Sequence, residues 1–111
     1  MITYHGSKVK ITEFSLDYQV SGFYRGIYST TDKNRVQEFG GYLYQLTLSG
    51  EYFEIKDAFH EEELIKKSGH SGSGMRLVES LIEQGFVGIK RGNEYITFNP
   101  KSIEKLSECL T

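Results

Sequence analysis

The chain has 111 residues, and its 13 Lys plus Arg against 15 Asp plus Glu leave a formal net charge of −2. That length bounds it to one small domain, residues 1–111, and that charge lacks the basic footprint a phosphate backbone attracts, which disfavours nucleic acid as a partner. The longest run without a charged residue, Phe39 to Gly50, spans 12 residues, well below the roughly 18 of a membrane span.

In chain order, Ile2 to His5 reads as a short strand ended by Gly6, and the stretch to Ser21 carries Val9, Ile11, Phe14 and Leu16 too irregularly for assignment. Gly22 to Gly26 reads as a loop and Ile27 to Thr30 as a strand. Thr31 or Asp32 then caps a helix that runs through Phe39 and stops at Gly40 and Gly41. Tyr42, Tyr44, Leu46 and Leu48 alternate with Leu43, Gln45 and Thr47, the period of a strand, and Tyr52 to Ile55 reads as another. Glu61 to Lys67 reads as a short helix, and Met75, Leu77, Val78, Leu81 and Ile82 form a helical apolar stripe ended by Gly85. Phe86 to Arg91 and Glu94 to Phe98 flank Gly92-Asn93, a two-residue hairpin connection. Asn99 then caps a final helix with Pro100 at its first position and Ile103, Leu106 and Leu110 on one face. The fold class expected from this interleaving is α+β, with short strands, tight turns and small flanking helices.

The N-terminus has neither a basic flank nor an apolar signal core, so a cytoplasmic protein is expected. The single cysteine, Cys109, excludes an internal disulfide and is expected to pack on the apolar side of the last helix. His60-Glu61 begins like a zinc-protease helix, but position 64 is Leu where a second ligand is needed, and no metal is expected. The glycines at 72 and 74 precede a helix without the strand or the G-K-[ST] of a phosphate loop. Three places are harder to account for as packing: His5 beside Gly6-Ser7, Tyr28 after Tyr24-Arg25-Gly26-Ile27, and Glu94 on one side of a strand with Ile96 and Phe98. If that side faces the core, a carboxylate is held against apolar surface, which is costly unless it has a task.

Together and in this order, Tyr4-His5-Gly6-Ser7, Gly26-Ile27-Tyr28, the helix ending at Phe39 and Asn93-Glu94-Tyr95-Ile96 resemble the ADP-ribosyltransferase fold. The likeness is to its histidine, tyrosine, glutamate branch, which includes diphtheria toxin and the poly(ADP-ribose) polymerases, and it runs from His5 to Phe98. It implies NAD as co-substrate. By resemblance, His5 with Ser7 binds the adenosine ribose, the Gly6 backbone holds the nicotinamide carboxamide, and Tyr28 and Phe39 wall the nicotinamide. Val36 stands where the family commonly has a serine. Stacking of a pyridinium between two rings is worth roughly 0.5 to 2 kcal/mol per ring.

Cleavage of the nicotinamide N-glycosidic bond passes through an oxocarbenium-like ribose, which a fixed carboxylate stabilises, and the resemblance gives that role to Glu94. His5 and Tyr28 complete the implied catalytic set. Position 92 is Gly, so the second acid of an arginine transferase is missing. The resemblance and the small size imply a mono-ADP-ribosyltransferase acting on a macromolecule, with a protein acceptor favoured over nucleic acid by the net charge. By family and size, a single-domain transferase of this kind resembles phage-encoded effectors that modify host or defence proteins, anti-CRISPR factors among them, and the catalytic modules of bacterial toxins. NAD hydrolysis with water as acceptor and a non-enzymatic, NAD-shaped binding module are the alternatives the same residues leave open. The segments expected to choose the acceptor are Asp17 to Gly26, with Tyr18, Phe23, Tyr24 and Arg25, and Ser68 to Gly74.

Overall fold

The computed structural model describes residues 1–7, 10–11, 24, 26–36, 41–69 and 74–109, with the backbone alone at 36 and 109. Their elements are β1 (Ile2–Ser7), β2 (Ile27–Thr30), α1 (Lys33–Val36), β3 (Tyr42–Leu48), β4 (Tyr52–Ile55), α2 (Ala58–Ser68), α3 (Met75–Glu83), β5 (Gly88–Arg91), β6 (Glu94–Thr97) and β7 (Ile103–Cys109). The strands form one mixed sheet in the order β4-β5-β6-β2-β1-β3-β7, parallel between β4 and β5 and antiparallel elsewhere. The protein is an α+β fold. No described helix is long and apolar enough to cross a membrane.

Because side chains alternate along a strand, the register sorts the core into two faces. Ile55, Ile89 and Ile96 lie on the face that receives Leu77, Val78 and Leu81 of α3, with Leu64 and Ile65 of α2 packed against them. Ile27, Tyr44, Leu46, Leu48 and Tyr95 form a second cluster on the other face. Tyr52, Gly88, Thr97 and Ile27 are successive partners across four strands of that second face. The Tyr52 ring crosses Gly88 and its hydroxyl lies 2.9 Å from the Thr97 hydroxyl. A Cβ at Gly88 would collide with the Tyr52 ring and with the Ile96 carbonyl. Gly88→Ala is therefore expected to lower stability by about 1–3 kcal/mol, the usual range for an overpacked core. Thermal unfolding checks this, and an unchanged Tm would contradict it.

Asp32 Oδ1 accepts the Asn34 N–H at 3.1 Å to open α1. Asp57 Oδ1 accepts the His60 N–H at 2.8 Å, so α2 begins at Ala58, before the expected Glu61. Gly85, at φ +93, ends α3. Gly92, at φ +61, turns the β5–β6 hairpin, as a glycine in the first position of a two-residue connection does. Ile82 departs from the expected stripe: it is 52% exposed while Leu77, Val78 and Leu81 are buried.

β5 starts at Gly88 and β6 ends at Thr97, inside the expected Phe86 and Phe98, and two differences go further. β1 does not stop at Gly6, because Gly6 and Ser7 still pair with Leu43 and Tyr42 of β3. The expected last helix is a strand. Asn99 caps as expected, accepting the Lys101 N–H at 2.9 Å, and Pro100 opens a single 3₁₀ turn, Pro100–Ser102. The chain then extends as β7 along β3. Leu48 pairs with Ile103 and Thr47 with Lys105, so Glu104 is an extra residue in β7. A bulge of this kind shifts side-chain parity by one, and it brings Ile103 and Leu106 to the same apolar cluster. Their three-residue spacing is the helical one, and the bulge gives it a different cause. Cys109 consequently sits on a strand opposite Leu43; its side chain and Leu110 lie outside the described residues.

Candidate functional site

β1 and β2 pair at one position, Tyr4 opposite Thr30, whereas β1 pairs with β3 at every residue from Ile2 to Ser7. Past that bridge, toward His5 on one strand and Tyr28 on the other, the two strands part. The His5 ring engages the backbone there, with Nδ1 2.5 Å from the Tyr28 carbonyl oxygen. A carbonyl can only accept, so Nδ1 carries the proton. Burial pushes the His5 pKa below its ordinary value of 6.5, against the opposing pull of the Tyr28 hydrogen bond. The ring is neutral at neutral pH.

That depression has a consequence with a definite sign. The unfolded chain takes up a proton on His5 more readily than the folded one, so this contribution to stability is complete above about pH 6.5 and is lost as pH falls through the lower folded value. The parent Tm is expected to fall more than that of His5→Gln between about pH 7 and pH 5. Equal falls in thermal melts of the two proteins would contradict the buried neutral imidazole.

Across β2 and β6, Thr30 faces Glu94 and Tyr28 faces Ile96. Tyr28 and Glu94 therefore project from one face, two residues apart along the strands. His5 projects from the other face by alternation with Tyr4, and its contact with Tyr28 is with the backbone carbonyl. The Tyr28 hydroxyl donates to the Tyr24 carbonyl at 3.1 Å and accepts the Tyr24 N–H at 3.2 Å. Burial raises the Tyr28 pKa, the Tyr24 backbone hydrogen bond counters it, and the charge of Glu94 raises it further; the phenol stays protonated. Gly6 and Ser7 are half-buried on β1 beyond the bridge. Phe39 and the Val36 side chain lie outside the described residues, as do Asp17, Tyr18, Phe23, Arg25 and residues 70–73 of the two expected acceptor segments.

Three residues join Glu94: Arg91 and Glu61, which the sequence reading did not place in a site, and Tyr24, expected among the acceptor-choosing residues but fully buried, so that its ring is core and not a surface anchor. Arg91 Nη2 lies 2.5 Å from Glu94 Oε1, and its Nη1 lies 3.0 Å from Glu61 Oε2. The same Glu61 oxygen accepts the hydroxyl of Tyr24 at 2.7 Å. Burial works against the Arg91 charge, but the hydrogen bonds and charges of Glu94 and Glu61 outweigh it and hold the guanidinium above its usual pKa. The Tyr24 hydroxyl is pushed up by burial first and then by Glu61. The Arg91–Glu94 pair was legible, since residues flanking a two-residue turn stand opposite each other. Glu61 and Tyr24 carried no such signal, because only the packing of α2 against the sheet brings them there.

Two surface concavities lie beside α2 and α3, one bordered by Ser68, Met75, Arg76, Glu79, Ser80 and Glu83, the other reaching Phe53 and Leu77. Neither is lined by His5, Tyr28 or Glu94, and the charged side chains at the first, Arg76, Glu79 and Glu83, belong to exposed residues. Among the described residues, no group of three His, Cys, Asp or Glu side chains is arranged to hold a metal ion.

No family model matches the chain, and no curated protein matches it. A solved structure described as "Crystal structure of an anti-CRISPR protein" is similar in fold, with a TM-score of 0.60 at 16% sequence identity, over 98% of this chain and 95% of that one. At that identity the similarity speaks to architecture alone.

Proposed function

We propose that this chain is a mono-ADP-ribosyltransferase of the phage-effector kind, moving ADP-ribose from NAD to a protein acceptor with release of nicotinamide. The observation that carries the reading is the parting of β1 and β2 at His5 and Tyr28, with Tyr28 and Glu94 on one face of the sheet, two residues apart along paired strands. The fold similarity to an anti-CRISPR protein supports the effector setting.

On this reading, Gly6 offers its backbone to the carboxamide, His5 and Ser7 engage the adenosine ribose, and Tyr28 with Phe39 stacks on the nicotinamide. The C1′–N bond breaks with its electron pair leaving on nicotinamide, and positive charge grows on the ribose. Glu94 stabilises that charge, and an acceptor heteroatom then bonds to C1′ and gives up its proton. Tyr28, kept as a phenol, presents an uncharged ring for stacking.

The test is incubation of the chain with labelled NAD in a bacterial lysate, with nicotinamide release followed by chromatography and labelled species identified by mass spectrometry. Nicotinamide release with label on protein is expected. Release without label on any macromolecule supports the hydrolase instead. Label confined to DNA or RNA overturns the protein acceptor, and no release at all overturns the enzyme.

A further inference from the structure

Tyr28 and Glu94 are joined by a series of hydrogen bonds that passes through the covalent frame of Tyr24. The Tyr28 hydroxyl is clasped by the Tyr24 backbone, the Tyr24 hydroxyl donates to Glu61, Glu61 accepts from Arg91, and Arg91 donates to Glu94. We propose that Arg91 and Glu61 are positioning residues for the reaction above: Arg91 fixes the orientation of the Glu94 carboxylate, and Glu61, itself set by Tyr24, holds Arg91 in that place. The inference rests on the transferase reading and adds the residues that orient its carboxylate.

Three observations favour this over an incidental surface ion pair. First, the guanidinium spans two carboxylates from different elements, Glu61 on α2 and Glu94 on β6, with separate nitrogens. Only the planar fork of arginine does this with directed donors; an ammonium is a point charge. Second, Tyr24 is fully buried, and a buried phenol requires a partner for its hydroxyl. Glu61 supplies it and is thereby fixed from the core side. Third, α2 has no fully buried residue and packs on the sheet through the half-buried Leu64 and Ile65, so the Glu61 hydrogen bonds add directed ties to that packing. The chain thus ties the carboxylate to α2 through Glu61 and to the buried Tyr24.

The arrangement also has an electrostatic logic. A guanidinium held by Glu94 alone would neutralise the charge that the oxocarbenium needs. Shared with Glu61, it orients the carboxylate while its own charge is partly met from the other side. Removing the Glu61 charge should therefore slow the chemistry without altering the surface that NAD touches.

The experiment measures nicotinamide release by the full chain and by Arg91→Lys, Glu61→Gln, Glu94→Gln and the Arg91→Lys/Glu94→Gln double variant, with thermal melts of each. Arg91→Lys is expected to lower kcat by roughly 10- to 100-fold, the scale of a small misplacement of a catalytic group, with the KM for NAD within about twofold. Glu61→Gln is expected to lower kcat by about tenfold, again with little change in KM. In the Glu94→Gln background, Arg91→Lys should add nothing, since it acts through the carboxylate that is gone. A further loss in the double variant, or KM and kcat falling together with Tm, overturns the proposal. So does an unchanged kcat in both single variants. A second readout is independent of turnover: the Glu94 side-chain carboxyl resonance in ¹³C NMR should move in Arg91→Lys and in Glu61→Gln. If it moves while the parent releases no nicotinamide, the transferase reading has failed and the network stands. If turnover is present and the resonance stays put, the positioning role has failed on its own.

Discussion

Glu94→Gln is expected to release nicotinamide from NAD at least roughly 100-fold more slowly than the parent, because one preorganised charge-stabilising group is commonly worth about 2.7 to 4 kcal/mol in the transition state. Glutamine has nearly the shape of glutamate and its carbonyl oxygen can still accept from Arg91, so neither the hairpin nor the NAD contacts should change. The Tm and the affinity for NAD should stay close to those of the parent, with the loss confined to kcat. Steady-state kinetics beside a thermal melt separates the two. A Glu94→Gln protein that turns over NAD at the parent rate removes Glu94 from the chemistry.

Ile96→Ala is expected to cost about 2–5 kcal/mol, the range for truncating a fully buried large aliphatic side chain. Ile96 is completely buried and lies opposite both Tyr28 on β2 and Ile89 on β5, so it is the apolar floor beneath the candidate site. Against a total stability of about 5–15 kcal/mol for a domain of this kind, that loss is a large share. Ile82→Ala, at a residue more than half exposed on α3, should stay within about 0.5 kcal/mol. Urea unfolding of the two variants checks the contrast; equal losses would mean that the core is not where the packing puts it.

The contrast between Ile96 and Ile82 also shows what a sequence can carry. Strand β3 was legible because Tyr44, Leu46 and Leu48 alternate against a sheet face, and alternation is a local property. The β5–β6 hairpin was legible through Gly92-Asn93, a turn whose backbone demand is itself local. β7 was not, because a bulge at Glu104 gives a strand the apolar spacing of a helix, and bulges are set by the partner strand. Ile82 belongs to the helical stripe by spacing, yet α3 meets the sheet through Leu77, Val78 and Leu81, and the width of the buried face depends on that docking.

The candidate site divides along the same line. His5, Tyr28 and Glu94 stood out because each is a polar or aromatic group in a strand where packing alone is a poor explanation. Arg91 opposite Glu94 follows from the two-residue turn. Glu61 lies 30 residues from Arg91 and 37 from Tyr24, and nothing local in an acidic helix segment distinguishes it from Glu62 and Glu63, whose side chains face solvent. The parting of β1 from β2 likewise has no local signature beyond Gly6, since it reflects a ladder that continues on the β3 side and stops on the β2 side.

The most direct test of the account is to titrate NAD into the ¹⁵N-labelled chain and map the amide shifts. Saturable changes concentrated on Gly6, Ser7, Tyr28, Ser29 and Glu94, the residues around the parting of β1 and β2, are the predicted result. Changes centred instead on the concavities beside α3, at Arg76, Glu79 and Ser80, or no saturable change anywhere, would contradict it.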